Sequence, residues 1–367
     1  MADPRMEKLA ATLVNYCVAV KPGDWVVVNG DVIALPLVTE VVREVVKAGG
    51  NPTITLSDSR LTEARLEHAS DEQLSWISPF EDIIAEKVDC TIGISAPSNT
   101  RALTGIDPRK MQIYQKAARQ GSGKRMQRSA EGTWRWTITQ YPCEAFAQDA
   151  DMSLRAYEDF VYAATFADQP DPIACWTDIR QSQQRLVDWL KGKREVVVRG
   201  PNIDMTLSID GRSFINSDGK RNMPSGEIFT GPVEQSVNGW VNFTYPAIRG
   251  GREVEGVQLE FKDGKVVSAK ASKNEDYLIS QLDSDEGSRY LGEFAFGTNY
   301  GIKQFTKSIL FDEKIGGSLH MAVGAGYPET GSRNRSSVHW DFICDMRQDS
   351  EVLIDGELFY KNGEFQI

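Results

Sequence analysis

Pairs of Asp-Gly or Asn-Gly punctuate the second half of this 367-residue chain and constrain its fold more than any other feature. The segments between the pairs alternate apolar and polar residues, which predicts β-hairpins because these residue types tolerate the positive φ that tight hairpin turns need. The pairs are Asp210-Gly211, Asp218-Gly219, Asp263-Gly264, Asp355-Gly356 and Asn362-Gly363. The second half is therefore predicted to be rich in antiparallel strands.

The first half has a different pattern, in which strands alternate with helices. "WVVVNG" is a β-branched run, "LPLVTEVVREVVKAGG" has apolar residues at helical spacing before a glycine stop, and "NPTITL" is a second strand. Such a unit favours a parallel sheet. We predict an α/β N-terminal domain over residues 1–190, followed by an α+β catalytic domain rich in antiparallel strands over 191–367.

Composition limits the class of protein. A length of 367 residues favours about two domains. The net charge of −11 argues against nucleic acid as a partner, because phosphate binding needs a basic surface. Five scattered cysteines without a CxxC spacing indicate a reducing compartment, and no apolar run is long enough for a membrane span. We therefore expect a cytoplasmic enzyme or binding protein.

The motif "HWD" holds one of only three histidines. In a strand, alternate side chains project from the same face, so His339 and Asp341 would lie together, about 6–7 Å apart along the backbone, while Trp340 projects the other way. Two readings remain open from the motif alone. The pair is either part of a metal site or a pair of polar residues on a wet strand face.

Further metal-capable residues in the second half follow glycines. Glu227 follows Gly226 in "PSGE", Glu293 follows "LG", and His320 stands in "GGSLH". Three carboxylates and two neutral imidazoles carry a charge of −3, so one divalent ion would leave −1 and two would leave +1. A net positive site suits the activation of water. If the five residues converge, they predict a two-metal hydrolase, but spacing alone does not bring them together.

These motifs together resemble the M29 family of metalloaminopeptidases, the aminopeptidase T and aminopeptidase S group. The segments that carry the resemblance are "NMPSGE", "GEFAFGTN", "GGSLHMAVGAGYPETG" and "NRSSVHWDFICDM", in the family's order, with "RWTITQYPCEAFAQDADMS" ahead of them. By this resemblance the following residues match the family's ligands to two divalent metal ions: Glu227, Glu293, His320, His339 and Asp341. Tyr327 matches its tyrosine near the metals.

The resemblance also implies an activity. We expect hydrolysis of the first peptide bond of peptides with a free N-terminus, a homodimer, and a first domain that helps enclose the active site. Glu227 and Tyr327 are the predicted catalytic residues, the latter as a hydrogen-bond donor to the tetrahedral oxyanion. Zinc, cobalt and manganese all suit the donor set. The proton-transfer group stays open, with Glu329 and Glu234 nearest to the motifs.

Two alternatives keep the fold and change the function. In a mononuclear iron oxygenase of the dihydroxypyridine dioxygenase type, His320, His339 and Asp341 would supply two imidazoles and one carboxylate. Glu227 and Glu293 would then have no role. In a binding protein with a decayed site, we would expect at least one ligand type to be lost.

Overall fold

The computed structural model describes residues 3–120 and 122–367. Its α-helices are α1 (Pro4–Thr12), α2 (Leu35–Lys47), α3 (Ser59–His68), α4 (Asp71–Ser75), α5 (Pro79–Lys87), α6 (Pro108–Gln120), α7 (Ser122–Ala130), α8 (Glu144–Asp149), α9 (Leu154–Ala164), α10 (Pro172–Leu190), α11 (Glu275–Leu282) and α12 (Ile309–Asp312). A π-helical turn covers Leu13–Cys17, and 3-10 turns cover Val32–Ala34 and Pro328–Thr330.

The first four strands lie among the helices, and the remaining strands follow α10. The first part contains β1 (Trp25–Asp31), β2 (Asn51–Ser57), β3 (Cys90–Ser95) and β4 (Arg135–Gln140). The strands of the second part are β5 (Glu195–Gly200), β6 (Ile203–Ser208), β7 (Ile215–Ser217), β8 (Asn222–Met223), β9 (Glu227–Thr230), β10 (Asn238–Asn242), β11 (Ala247–Arg249), β12 (Arg252–Val254), β13 (Gln258–Lys262), β14 (Lys265–Lys270), β15 (Leu291–Gly297), β16 (Ser318–Gly324), β17 (His339–Asp345), β18 (Glu351–Ile354), β19 (Glu357–Lys361) and β20 (Glu364–Phe365).

The first of two compact units is built on a parallel sheet. It comprises the residues up to Ala174 together with Gly219–Pro224, and its sheet has the order β2-β1-β3-β4-β8. Helix α2 connects β1 to β2 and packs on β1, where a Cβ on Gly30 would lie 2.5 Å from Val38 Cγ2. The glycine permits this close approach of helix and strand.

The second unit contains two antiparallel sheets, one of eight strands and one of five. It comprises Cys175–Asp218 and Ser225–Ile367, so that α10 falls mostly in this unit rather than before a boundary near residue 190. One sheet has the order β14-β13-β10-β6-β5-β18-β19-β20 and the other β17-β16-β15-β9-β7, while β11 and β12 form a ribbon. The fold class predicted from the sequence is confirmed.

Three of the five glycine pairs form the predicted hairpins. Asp263-Gly264, Asp355-Gly356 and Asn362-Gly363 join β13 to β14, β18 to β19 and β19 to β20, and both residues of each pair have positive φ. The pairs at 210–211 and 218–219 instead connect strands of different sheets, and only their glycines have positive φ. A hairpin turn of this type needs positive φ at both positions, which explains the difference.

The core of the second unit lies between the apolar faces of its sheets. Residues of the eight-stranded sheet such as Val198 and Leu259 share one cluster of buried residues with Phe294, Met321 and Phe342 of the five-stranded sheet. One face of the β17-β16-β15-β9-β7 sheet thus packs into this apolar cluster, and its other face carries the polar side chains described below. Across residues 3–120 and 122–367, every helix is too short or too polar for a membrane crossing.

Candidate metal centre

One face of the antiparallel sheet β17-β16-β15-β9-β7 carries all five candidate ligands. Residues paired across strands share a face, as do alternate residues within a strand. Ala322 of β16 pairs with Glu293 on one side and with Asp341 on the other. The same face therefore holds the following ligands: Glu227, Glu293, His320, His339 and Asp341.

The opposite face of the same strands faces the core. Trp340, Phe342 and Cys344 of β17 all belong to the buried cluster, as the alternation in "HWDFIC" predicts. Burial raises the pKa of Cys344 to about 12, so this thiol is not suited to bind a metal. On the ligand face, Ala295 and Ala322 stand between the ligands, and their short side chains leave room for ions.

Glu293 lies between the two imidazoles. Its Oε1 is 3.6 Å from His320 Nε2, and its Oε2 is 3.2 Å from His339 Nε2. Glu227 Oε2 is 3.2 Å from His320 Nε2, and Asp341 Oδ1 is 3.5 Å from His339 Nε2. The pairing of β15 with β16 shifts register between Leu291 and Glu293, and such a bulge can redirect a side chain.

The backbone fixes the orientation of His339. Its Nδ1 lies 2.7 Å from the carbonyl oxygen of Ala325, which can only accept, so Nδ1 carries the proton and Nε2 is free to act as a ligand. Arg249 also donates to the carbonyl oxygen of His339 at 2.6 Å. His320 Nδ1, by contrast, is buried and has no hydrogen-bond partner in the part of the chain that the structure describes.

The carboxylates make this site strongly attractive to positive charge. Burial alone lowers the pKa of each imidazole, but the neighbouring carboxylates outweigh it, so the pKa of His320 rises to about 9 and that of His339 to about 12. Burial raises the pKa of Asp341, yet the two imidazoles lower it overall to about 2. In the metal-free protein, protons on the imidazoles thus supply the charge that a cation would bring.

The candidate ligands form two overlapping groups of donor atoms. Oxygen and nitrogen atoms within 4.8 Å of one another form one group of Glu227, Glu293 and His320, and a second group of Glu293, His339 and Asp341. Each group offers carboxylate oxygens and one imidazole, the mixed donors that zinc, cobalt and manganese accept. The two groups share Glu293, which presents a different oxygen to each imidazole.

Sequence reasoning missed two charged residues beside the ligands. Glu313 forms a third group with His320 and Asp341, and the ammonium of Lys314 contacts Glu313 Oε1. Both residues lie in "LFDEKIGG" between α12 and β16. The sequence shows three consecutive charged residues, Asp312 to Lys314, between apolar neighbours, and that pattern does not indicate which strand they approach.

Tyr327 lies at the edge of the site. Its ring centroid is 5.2 Å from that of His339 and 5.3 Å from that of Phe229, and 38% of the residue is exposed. Burial of the remainder, and then the charge of Glu293, raise the pKa of Tyr327, so that the phenol stays protonated. It can therefore donate a hydrogen bond from the rim.

Glu234 and Glu329, the two carboxylates considered for proton transfer, have different surroundings. Glu234 binds Arg212 at 2.6 Å and accepts from the backbone N–H of Arg333 at 2.6 Å, so it anchors the loop that follows Tyr327. Glu329 is exposed. These contacts assign Glu234 to loop structure rather than to proton transfer.

A glycine with positive φ positions Glu227. Gly226 has φ +111, and a Cβ there would lie 2.7 Å from Asn299 Cβ. Asn299 Nδ2 donates to the carbonyl oxygen of Ser225 at 2.9 Å, and Thr298 N–H donates to that of Gly226 at 2.8 Å. These two hydrogen bonds attach the turn before β9 to the residues that follow β15.

Comparison with known proteins gives the chain a family. The family model described as thermophilic metalloprotease (M29) matches residues 2–365. Aminopeptidase 2 of Geobacillus stearothermophilus is 29% identical, with 96% of this chain and 94% of that protein covered. Aminopeptidase AmpS of Bacillus subtilis is 26% identical, with 98% of each covered.

Solved structures share the fold. The structure titled wild-type AmpT from Thermus thermophilus has a TM-score of 0.87 at 24% identity and covers 99% of each chain. A 2,5-dihydroxypyridine dioxygenase from Pseudomonas putida has a TM-score of 0.59 at 13% identity, covering 100% of this chain and 98% of that one. The family match spans almost the whole chain. This protein therefore belongs to the M29 family of thermophilic metalloproteases and is a hydrolase of the metalloaminopeptidase class.

Proposed function

We propose that this enzyme hydrolyses the N-terminal peptide bond of peptides at a dinuclear site. The ligands in this proposal are Glu227, Glu293, His320, His339 and Asp341. The observation that carries it is the position of Glu293, whose two oxygens face different imidazoles and thereby divide the ligands into two groups with one shared carboxylate. One ion would be held in each group.

The chain's own residues have separate tasks in this reaction. Two divalent ions would supply Lewis acidity and lower the pKa of a water molecule. Tyr327, protonated and at the rim, would donate a hydrogen bond to the oxyanion that develops at the scissile carbonyl. The substrate's free α-amino group would bind a metal ion or contact a carboxylate of the ligand face, and that contact would limit cleavage to free N-termini.

The grouping of the ligands supports hydrolysis over the oxygenase alternative. A mononuclear iron site needs both imidazoles around one ion. The groups observed here each contain one imidazole, with His320 and His339 on opposite sides of Glu293. The structural likeness to the dioxygenase shows a shared fold alone.

The remaining expectations belong to the same proposal. Zinc, cobalt or manganese would be the metal, and the protein would act in the cytoplasm as a homodimer on peptides with a free N-terminus. Catalysis is assigned to the second domain, which the sequence predicted as residues 191–367 after a first domain of 1–190. The compact unit that holds the candidate ligands begins at Cys175.

Turnover of aminoacyl substrates with and without metal tests the proposal. The wild-type protein should lose activity to a chelator, recover it with two ions per chain, and leave N-acetylated substrates intact. Glu227→Ala should abolish turnover, whereas Glu260→Ala, an exposed glutamate on β13, should leave it unchanged. Normal turnover by the Glu227 variant in metal-replete buffer, or one iron per chain in the wild type, would refute it.

A further inference from the structure

The segment that follows Tyr327 folds back on itself in a tight turn. Thr330 donates to the carbonyl oxygen of Tyr327 twice, from its backbone N–H at 3.0 Å and from its hydroxyl at 2.6 Å. The N–H of Gly331 donates to the carbonyl oxygen of Pro328 at 3.0 Å. The backbone of Tyr327 is thus joined to Thr330, and a shift of Thr330 would move the tyrosine with it.

This turn is bound in its own right to the residues before β7. The N–H of Ser213 donates to the carbonyl oxygen of Thr330 at 3.0 Å, and the guanidinium of Arg212 donates to that of Gly331. Thr230 of β9 donates from its hydroxyl to the carbonyl oxygen of Ser213 at 2.9 Å. The turn is therefore connected through Ser213 to a strand of the ligand-bearing sheet.

Glu234 binds the next two residues of the same segment. Its Oε1 accepts from the backbone N–H of Arg333 at 2.6 Å and from the hydroxyl of Ser332 at 3.4 Å, and its Oε2 binds Arg212 at 2.6 Å. Burial acts to raise the pKa of Glu234, but the N–H of Arg333 and the charge of Arg212 lower it overall. The carboxylate is therefore ionised at neutral pH.

The ion pair and the packing around it leave the segment little freedom. The side chain of Arg212 is only 7% exposed and that of Glu234 22%, so water screens their attraction less than it would on the surface. Ser332 is buried, and a Cβ on Gly231 would lie 2.7 Å from its Cβ. Arg212 and Glu234 thus hold a closely packed segment by its backbone at Gly331 and Arg333.

We propose that Glu234 and Arg212 are positioning residues that place the phenol of Tyr327 for catalysis by fixing residues 330–333. This inference rests on the proposed function, in which Tyr327 donates a hydrogen bond to the oxyanion. The ring of Tyr327 packs against Phe229 and His339 but is partly exposed at the rim, so its backbone must help to set where the hydroxyl lies. A donor misplaced by about 1 Å can lose roughly 100-fold in rate.

The test is a double-mutant cycle between Glu234 and Tyr327, measured as metal-dependent turnover of a chromogenic aminoacyl substrate. Glu234→Gln keeps the shape of the side chain and removes the charge that holds Arg212, so kcat should fall by about tenfold or more with little change in KM. In the Tyr327→Phe background the same change should lower kcat by less than about twofold, because no phenol is left to position. Metal affinity, measured by competition with a chelating dye, should stay at the wild-type value.

Glu357→Gln is the matched control. It removes the same charge from an ion pair with Lys193, whose side chain is 19% exposed, and Glu357 lies on β19 of the eight-stranded sheet. Both kcat and KM should keep their wild-type values in this variant.

Equal losses of kcat from Glu234→Gln in the two backgrounds would overturn the inference, as would wild-type kcat, an effect confined to KM, or weakened metal binding. If Glu234→Gln fails to fold, Arg212→Lys gives the same comparison, because a lysine ammonium cannot replace the guanidinium at both Gly331 and Glu234. Failure of the proposed function is separately visible. In that case the wild-type enzyme itself would not turn over aminoacyl substrates with metal.

Discussion

Replacing Gly226 with alanine should displace Glu227 and destabilise the second unit. The backbone at Gly226 has φ +111, a conformation that costs an L-residue about 1–3 kcal/mol. The new Cβ would lie 2.7 Å from Asn299 Cβ and 3.1 Å from its backbone nitrogen. Such overpacking costs about 1–3 kcal/mol more.

Asn299 cannot easily move away from the new Cβ. Asn299 is fully buried, its Nδ2 bonds Ser225, and its backbone N–H bonds the carbonyl of Lys314. We therefore expect the free energy of unfolding to fall by roughly 2–6 kcal/mol. Metal affinity should fall about 10–100-fold, because the clamped turn determines where Glu227 lies.

Gly192→Ala is the matched control for this experiment. Gly192 also has positive φ, at +77, but a Cβ there would meet no atom within 4 Å in the described parts of the chain. Only the cost of the left-handed backbone conformation should remain, which lowers the free energy of unfolding by about 1–2 kcal/mol. Metal affinity should not change. Urea unfolding of the metal-free proteins and dye competition give both quantities. If the Gly226 variant is no less stable than the control, the contacts with Asn299 do not fix the turn before Glu227.

Two further predictions concern protons. The raised pKa values of His320 (about 9) and His339 (about 12) stabilise the metal-free protein fully below pH 6.5. Above pH 6.5 this stability declines because the unfolded chain has released those protons, and it is lost as pH rises through 9 for His320 and through 12 for His339. Asp341, with its pKa lowered to about 2 from 3.8, stabilises above pH 3.8 and ceases to do so toward pH 2. Melting temperatures of metal-free protein should thus decline from pH 6.5 to 9, and saturating metal should flatten the decline; a rise over that range contradicts the argument. Tyr327→Phe should lower kcat by about 100-fold or more with little change in KM, and a change confined to KM would show that the phenol binds substrate instead.

The fold was predictable where local chemistry decides it. The pattern of "LPLVTEVVREVVKAGG" predicted α2, which the structure forms over Leu35–Lys47. The hairpin signal worked for Asp263-Gly264, since the turn residues alone set the geometry there. It failed at Asp210-Gly211, because β6 pairs with β5 and β10 rather than with the strand that follows the turn. Which strands pair depends on packing between distant segments.

The site was predictable as residue types but not as a geometry. Strand alternation predicted that His339 and Asp341 share a face, and the resemblance to a known family supplied their partners. The shared position of Glu293 follows from the order of β9, β15, β16 and β17, which no local pattern specifies. Lys314 was missed for a similar reason, since its contact with Glu227 depends on a backbone pairing with Asn299.

Because the candidate ligands lie on one face of adjacent strands, metal binding depends on the register in which those strands pair. A slip of β17 by a single residue would turn His339 and Asp341 into the core and expose Trp340 on the ligand face. A slip by two residues would keep the face but move each ligand by about 7 Å, too far for a shared ion. Only chains in the native alignment could therefore bind metal at this face, so that metal binding would separate correctly paired molecules from misaligned ones during folding.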